Sequence, residues 1–485
     1  MRMRNYAHEH ARYSIRLDRR ETLRARLSVF EPDFLALDFA RPSAGLQTLE
    51  TKDSRSALRR RKNLRVKPHW RRPRHNRQRN RGRGVGQVRG PDPTPLCPYC
   101  QHPVDPVNDC WIGHGQMAHS GCAWACRGAA AYTSGDYVEE ATRYFKKAIA
   151  LDPANVGGHT GLIDCLLARQ ETRAQAFAQL QKMHESPAVQ RTLHLPGEGC
   201  DGFDRDAMLK RLWKGESVPD KSIFLWLGGA AGDHFLQVRY APLLRERCQR
   251  VIVSAGFDDA ALLATCPGVD TVLQEYEWAE DPAMVGSLWT TGRMILAHFY
   301  AQTPPPPYLF ARSEHVEKWR KRLVGGNLKV GLCWQGGQVT SFGSLRDCPL
   351  NAFARLGQVP GVDFYSLQKG EGMDDPTPDG LKLQRLGDHL YDWEDTAGVL
   401  ENMDVFLSTD CGPLHLSAAL DRPTWGLITT QFWSWVYQEG EFYPSLRVFR
   451  KKISEPWEPL MEEVAAALRV LAERHHNSLL AYEIA

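Results

Sequence analysis

The sequence predicts an α/β protein with two doubly wound parallel sheets facing a cleft, preceded by a small zinc finger and an all-α segment. Three observations carry this expectation. Two series of short apolar runs alternate with helically spaced segments, one starting at Lys221 and one following Pro304-Pro305-Pro306-Pro307. Paired Cys and His residues cluster between Cys97 and Cys126. Small and aromatic residues then recur at the spacing of helical hairpins.

At 485 residues the chain has room for two to four domains. Its net charge of +4 hides an asymmetry, because Lys52 to Arg89 carry sixteen basic residues and one acid, Asp53. Without that block the chain is net negative. Residues 1–96 read as a basic, largely disordered N-terminal segment: 1–50 show weak helical periodicity and no clear core, and the composition of 51–96 cannot bury one. It could tether the protein to nucleic acid or another anionic surface, or serve as a solvated linker. Trp70 is the lone aromatic in the basic block, which argues against specific nucleic-acid binding. No run of 18 apolar residues predicts a membrane span, and Met1 to His8 lack the apolar core of a secretory signal. Cysteines scattered along such a chain fit a reducing cytoplasm.

Residues 97–126 hold Cys97-Pro98-Tyr99-Cys100 and His119-Ser120-Gly121-Cys122. Three thiolates and one imidazole in two closely spaced pairs suit tetrahedral zinc, and Cys97, Cys100, His119 and Cys122 are the expected ligands. The spacing resembles one half of a LIM-type or treble-clef finger. So short a segment would draw its folding energy from the metal, making the zinc structural. Cys110, His114 and Cys126 lie close enough in sequence to replace a ligand, and the alternative is a chance cluster of buried cysteines.

Residues 127–190 read as tetratricopeptide-like helical hairpins. Ala130, Tyr132, Gly135, Tyr137, Ala141, Tyr144, Ala148 and Pro153 follow that pattern, with small residues where helices touch and aromatics between them. A second, more degenerate unit runs from about Asn155 to Met183. Two hairpins are too few to stand alone, so they should lean on the finger or on the α/β part.

The first α/β series, residues 221–310, opens with Ile223-Phe224-Leu225-Trp226-Leu227, ends that strand at Gly228-Gly229-Ala230-Ala231-Gly232-Asp233, and continues with strands around Val251 and Val272. The second, residues 311–475, carries strands at Val330–Trp334, Val362–Leu367, Val405–Leu407 and Thr424–Ile428. Two such series imply two doubly wound parallel sheets facing a cleft.

Its most informative stretch is Ser408-Thr409-Asp410-Cys411-Gly412-Pro413-Leu414-His415, between a buried strand and Leu416-Ser417-Ala418-Ala419-Leu420. A strand that breaks into a helix at Gly-Pro leaves free N–H groups at the positive end of the helix dipole. Gly412 permits close backbone approach, Pro413 suits the first helical turn, and His415 one turn in could donate to a phosphate oxygen. The plain alternative is an ordinary turn with a capping aspartate.

The segment resembles the D-[TS]-G-P-x-H nucleotide-sugar motif of glycosyltransferase family 9, the heptosyltransferase-like enzymes, and in particular the branch bearing tetratricopeptide repeats. Four further blocks, in order, are similar to that family: Gly232-Asp233 with Arg239-Tyr240-Ala241-Pro242-Leu243-Leu244; Val330 to Gly336; Phe364 to Gln368; and Trp433-Ser434-Trp435 with Phe442 to Arg450. The resemblance covers roughly residues 221–455 and implies an inverting transferase using a nucleotide-diphospho sugar, ADP-heptose-like or otherwise, with a hydroxyl of a glycan or protein as acceptor. It implies a GT-B architecture with residues 221–310 as the acceptor domain and 311–475 as the nucleotide-sugar donor domain. It makes Asp233 the general base, and Trp334, Arg346, Gln368, Asp410, Cys411, Gly412 and His415 the donor-binding set. No D-x-D occurs in a plausible position, so no catalytic metal is expected. Two departures stand out: Cys411 replaces the family's Thr or Ser, and Gly337 to Gly343 is less basic than in relatives. They favour a rival reading, a non-catalytic interaction protein whose finger and repeats recruit a partner. A dehydrogenase is disfavoured for want of G-x-G-x-x-G followed by a ribose-binding acid.

Overall fold

The computed structural model describes residues 121–133, 138–191, 195–196, 198, 203–256, 258–274, 286–299, 301–337, 346–429, 436–437 and 442–484. The basic segment and the finger residues Cys97, Cys100 and His119 lie outside this set, as does the side chain of Cys122.

The described chain begins with four helices, α1 (Gly121–Thr133), α2 (Val138–Leu151), α3 (Val156–Leu167) and α4 (Arg173–Glu185). Glu139 and Glu140 complement the dipole in the first turn of α2, and Asn155 caps α3 by accepting from Gly158 N–H at 2.7 Å. Phe145 of α2 fills the space between helices. A Cβ on Gly161 would lie 2.1 Å from its ring and one on Gly128 2.7 Å away, so both positions need glycine for the helices to close around the aromatic.

These helices share a continuous core with the first sheet: Ile163, Phe177, Leu180 and Met183 join Trp213, Phe224 and Ile295 in one buried cluster. That sheet holds β1 (Val218–Trp226), β2 (Cys248–Ala255), β3 (Thr271–Gln274) and β4 (Leu288–Thr291), all parallel, in the order β3-β2-β1-β4. Helix α5 (Ala231–Val238) follows β1, and α6 (Gly292–Phe299) follows β4. Helix α5 ends at Val238, and a separate short helix starts at Ala241, where Pro242 suits a first turn.

An ion pair joins the helical segment to this lobe, Arg293 Nη2 of α6 to Asp164 Oδ1 of α3 at 2.8 Å. Beside it is the buried His184 of α4, whose pKa is pushed down to about 3 by burial, with the charges of Arg293 and His298 adding to the effect. Burial pushes Asp164 up to about 6 against the pull of Arg293. The two have opposite signs. His184 stays neutral in the fold while the unfolded chain protonates near 6.5, so its contribution is present above pH 6.5 and lost as the pH falls toward 3. Asp164 contributes below its ordinary 3.8 and loses that contribution as the pH rises through 6. They offset one another between those values, and His184 acts alone in stronger acid. The stability gap between the parent and His184→Leu should therefore change by about 1.4 kcal/mol per pH unit in urea titrations between pH 6.5 and about 3. A gap constant with pH would refute this account of the joint.

Beyond the proline run, α7 (Ser313–Arg320) leads into the second sheet, with β5 (Leu328–Cys333), β6 (Val362–Ser366), β7 (Leu383–Arg385), β8 (Val405–Thr409), β9 (Thr424–Ile428) and β10 (Leu446–Arg450). Its order is β10-β9-β8-β5-β6-β7, again all parallel. Alternation sorts its side chains. Val330 and Leu332 of β5 with Val405 and Leu407 of β8 face a core closed by the C-terminal α10 (Glu458–Ile484), which contributes Met461, Val464 and Leu468. Cys333 and Phe406 face the other core, shared with the first lobe and with α8 (Trp393–Leu400) and α9 (Gly412–Ala419). A sheet covered on both faces explains why its strands read as unbroken apolar runs. Two facing parallel sheets, each with helices on its faces, form a GT-B-like arrangement. No described helix is long and apolar enough to cross a membrane.

Candidate functional site

In each sheet the strand order reverses once. The switch falls between β1 and β4 in the first and between β5 and β8 in the second. Ligands of doubly wound sheets bind outside the carboxyl ends of the strands at such points. The loop after β1 carries Gly228 and Gly229 and leads into the first turn of α5, which holds Asp233. The loops after β5 and β8 carry Gln335-Gly336 and Asp410-Cys411-Gly412.

The two switch points meet. A Cβ built on Gly232 of α5 would lie 3.1 Å from Gly412 Cα, 3.5 Å from Gly412 N and 3.1 Å from His415 Cδ2. One built on Gly412 would lie 3.6 Å from Gly232 N and 2.8 Å from the Trp393 ring. The N-termini of α5 and α9 therefore abut, and their positive dipole ends converge from opposite lobes. Trp393 helps to hold the seam: its ring packs edge-on against Phe235 at 4.9 Å, and its backbone N–H donates to Asp258 O across the lobes at 3.2 Å. Gly412→Ala should open the seam, since the ring of Trp393 leaves no room for the methyl. The expected result is a melting temperature several degrees lower, on the order of 1–3 kcal/mol for an overpacked site. An unchanged melting temperature would show that the lobes part freely.

Asp233 is the third residue of α5. Its Oδ2 accepts from the N–H of Ala230 at 2.9 Å. It folds back over Gly229, where φ is +89° and a Cβ would sit 2.3 Å from Oδ2, so a glycine is required on both counts. The neighbouring His234 pairs with Asp259 at 2.6 Å.

Asp410, just beyond β8, is buried between Arg346 on one side and Tyr437 and His415 on the other. Its Oδ2 lies 3.7 Å from Arg346 Nη1, and its Oδ1 accepts from the Tyr437 hydroxyl and lies 3.7 Å from His415 Nε2. Burial pushes its pKa up, but His415, Arg346 and Tyr437 together bring it below the usual carboxylate range. Burial likewise opposes the charge on Arg346, yet Asp410, with smaller pulls from Tyr437, Cys411 and Asp233, holds it protonated above the usual arginine range. Arg346 thus feels the carboxylates of both lobes.

A hydrogen-bonded line runs behind this pair. Tyr437 has one proton, and an ionised Asp410 can only accept it, so toward His415 Nε2, at 3.2 Å, Tyr437 must itself accept. Nε2 therefore carries hydrogen. In a neutral imidazole Nδ1 then accepts from Tyr443 at 3.3 Å, and Tyr443 accepts from Tyr308 at 3.4 Å. Both nitrogens of His415 are engaged within the protein, so in this conformation it orders Asp410 and the head of α9 and does not present a free donor.

Trp334 and Gln368 also serve the fold. The Trp334 indole is buried and donates to Asp375 at 3.0 Å. Gln368 Oε1 accepts from the N–H groups of Trp334 and Gln335 at 3.0 and 3.1 Å, and its Nε2 donates to Gln335 O and Glu371 O. Their polar atoms clamp the loop after β5 and are not offered to a ligand. Cys411, the N-cap of α9, makes no side-chain capping bond; its sulfur lies 3.1 Å from Ser408 Oγ.

The structure thus brings Asp233, Arg346, Asp410, Cys411, Gly412 and His415 to one seam, with Trp334 and Gln368 behind it. Sequence reasoning missed Tyr437, Trp393 and the wider role of Tyr443. The aromatic run from Trp433 to Tyr443 is the signal that could have directed attention there.

No protein-family model matches the chain. Protein FlbA of Caulobacter vibrioides is 26% identical over 179 residues, which span 32% of this chain and 28% of FlbA's length. Among solved structures, the chain is similar to the ADP-heptose lipopolysaccharide heptosyltransferase II of E. coli, at a TM-score of 0.39 and 16% identity, covering 54% of this chain and 100% of that one. A family 9 glycosyl transferase of Veillonella parvula matches at 0.37 and 12%, over 56% and 98% of the two chains. The O-GlcNAc transferase of Thermobaculum terrenum matches at 0.25 and 13%, over 76% and 88%.

Proposed function

We propose that this chain is an inverting, metal-independent glycosyltransferase that moves a sugar from a nucleotide-diphospho sugar to a hydroxyl of a glycan or protein. The observation that carries this reading is the convergence of two helix N-termini, a charged arginine and a carboxylate at facing switch points. An anion beside the seam would meet the first-turn N–H groups of α9, the dipole ends of both helices and Arg346. Those are the fixed positive groups that a departing diphosphate needs when no metal neutralises it. Asp233, on the opposite lobe, would take the proton of the acceptor hydroxyl as its oxygen attacks the anomeric carbon. Attack from the face opposite the leaving diphosphate inverts the configuration. Asp410, His415 and the two tyrosines would hold the α9 turn and Arg346 in place. The heptosyltransferase named among the similar structures makes an ADP-heptose-like donor the first to try.

Thermal-shift measurements against a panel of nucleotide sugars test this. A donor at 100 times its Kd should stabilise by about 2.7 kcal/mol. If none shifts the melting temperature, the interaction-protein reading replaces this one. The reading also includes a structural zinc on Cys97, Cys100, His119 and Cys122. Metal analysis should return about one equivalent, lost on Cys100→Ser, and a metal-free protein with a protease-resistant finger would refute it.

A further inference from the structure

Two thiols meet directly under the seam. Cys333 is the last residue of β5, and Cys411 caps α9 just beyond the neighbouring β8. Their sulfurs are 3.6 Å apart, and both residues are buried, at 2% and 8% exposure. The sulfurs of Cys248, Cys266 and Cys348 contact backbone carbonyls, whereas this pair is thiol to thiol. Around it lie Ser408 Oγ, 3.1 Å from Cys411, and Gln368 Oε1, 3.3 Å from Cys333.

The two sulfurs are chemically unequal. Cys411 sits at a helix N-terminus, where the dipole favours an anion. Its pKa is lowered, chiefly by the hydrogen bond from Cys333, with Ser408 and the Leu414 N–H helping against burial. Cys333 is raised well above the thiol range, first by giving that hydrogen bond and then by burial. Its place at the N-terminus of α9 makes Cys411 the nucleophile of the pair, with Cys333 beside it.

We propose that Cys333 and Cys411 form a redox pair that closes to a disulfide when a small two-electron oxidant such as hydrogen peroxide reaches the seam. The Cys411 thiolate attacks one peroxide oxygen, the O–O bond breaks, and the departing hydroxide takes a proton and leaves as water. The resulting sulfenic acid on Cys411 is attacked by Cys333, which gives up its proton. The S–O bond breaks and a second water leaves. Two thiols have then lost two electrons and two protons, and peroxide has become two waters. Closure draws the sulfurs from 3.6 Å to about 2.05 Å and moves the N-cap of α9. On the transferase reading, on which this consequence rests, that shift disturbs the diphosphate seat, and oxidation switches donor binding off.

The test treats the folded full-length chain with hydrogen peroxide, blocks remaining thiols, and maps peptides by mass spectrometry. The expected product is a Cys333–Cys411 linked pair that dithiothreitol returns to two thiols. In Cys333→Ala, Cys411 should instead be trapped as a dimedone adduct of its sulfenic acid. Two free thiols after treatment, a link from Cys411 to a different cysteine, or a link formed only once the chain is denatured would overturn the pair. A second arm compares donor-induced thermal shifts before and after oxidation, with a loss reversed by dithiothreitol expected. An undiminished shift in the linked protein would overturn the switch. A reduced protein that binds no nucleotide sugar would sink the transferase reading and the switch with it, while the mapped peptides still decide the redox pair.

Discussion

Asp233→Asn should lose about 10²- to 10⁴-fold in the rate of sugar transfer while keeping its donor affinity and its melting temperature. The reasoning separates the two tasks this carboxylate can perform. As a cap it accepts a hydrogen bond from Ala230 N–H, and an asparagine oxygen can accept the same bond. As a base it must take a proton in the transition state, which an amide cannot do. Asn therefore removes the chemistry and spares the structure. Asp233→Ala removes both, so it should add a stability loss of about 0.5–2 kcal/mol to the same fall in rate. A loss confined to kcat, with donor binding by calorimetry unchanged, is the signature of an interaction made only as the bond forms. If Asp233→Asn retains full activity, the residue is a helix cap and the base lies elsewhere.

What the sequence disclosed and what it hid follow from burial and direction. Strands β1, β5, β6, β8 and β9 were legible because both faces of their sheets are covered, leaving contiguous apolar runs. β4 ends in two threonines, β7 is three residues long, and β10, at a sheet edge, mixes buried Leu446 and Phe449 with exposed Arg447 and Arg450. None of these carries the apolar signal of a central strand. At the site, Asp410, Gly412 and His415 could be read because one turn holds them together. Their partners could not: Tyr437 and Tyr443 reach His415 from 22 and 28 residues away, and a tyrosine in sequence does not say what its hydroxyl meets. Trp334 and Gln368 show the converse. Their types suit ligand contacts, but residue type does not fix direction, and the fold takes their polar atoms inward.

Arg239→Leu should be among the most destabilising substitutions in the chain, costing on the order of 3 kcal/mol or more. Arg239 stands at the end of α5 and is fully buried. Its Nε and Nη2 donate to Pro304 O at 3.1 and 2.6 Å, and Nη2 also donates to Phe442 O at 3.0 Å. The guanidinium lies 3.8 Å over the Phe442 ring, 4.8 Å from that of Tyr308 and 5.3 Å from that of Tyr443. One side chain of the first lobe thus fastens the proline crossing and the second lobe's aromatic turn, and that turn positions His415 through Tyr443. Leucine would restore apolar volume but leave two buried carbonyls without their donor and the rings without their cation. Lysine keeps the charge, but a single ammonium cannot reproduce the planar fork on two carbonyls while stacked on a ring, so Arg239→Lys should recover only part of the loss. Denaturant titration and limited proteolysis of both variants measure the effect. The expected result for Arg239→Leu is a lower midpoint with new cleavage near Pro304 to Pro307, where the crossing has lost its anchor. A midpoint matching the parent, with the crossing still protected, would mean that the stacked rings and the Gly232–Gly412 seam hold the lobes together without the cation.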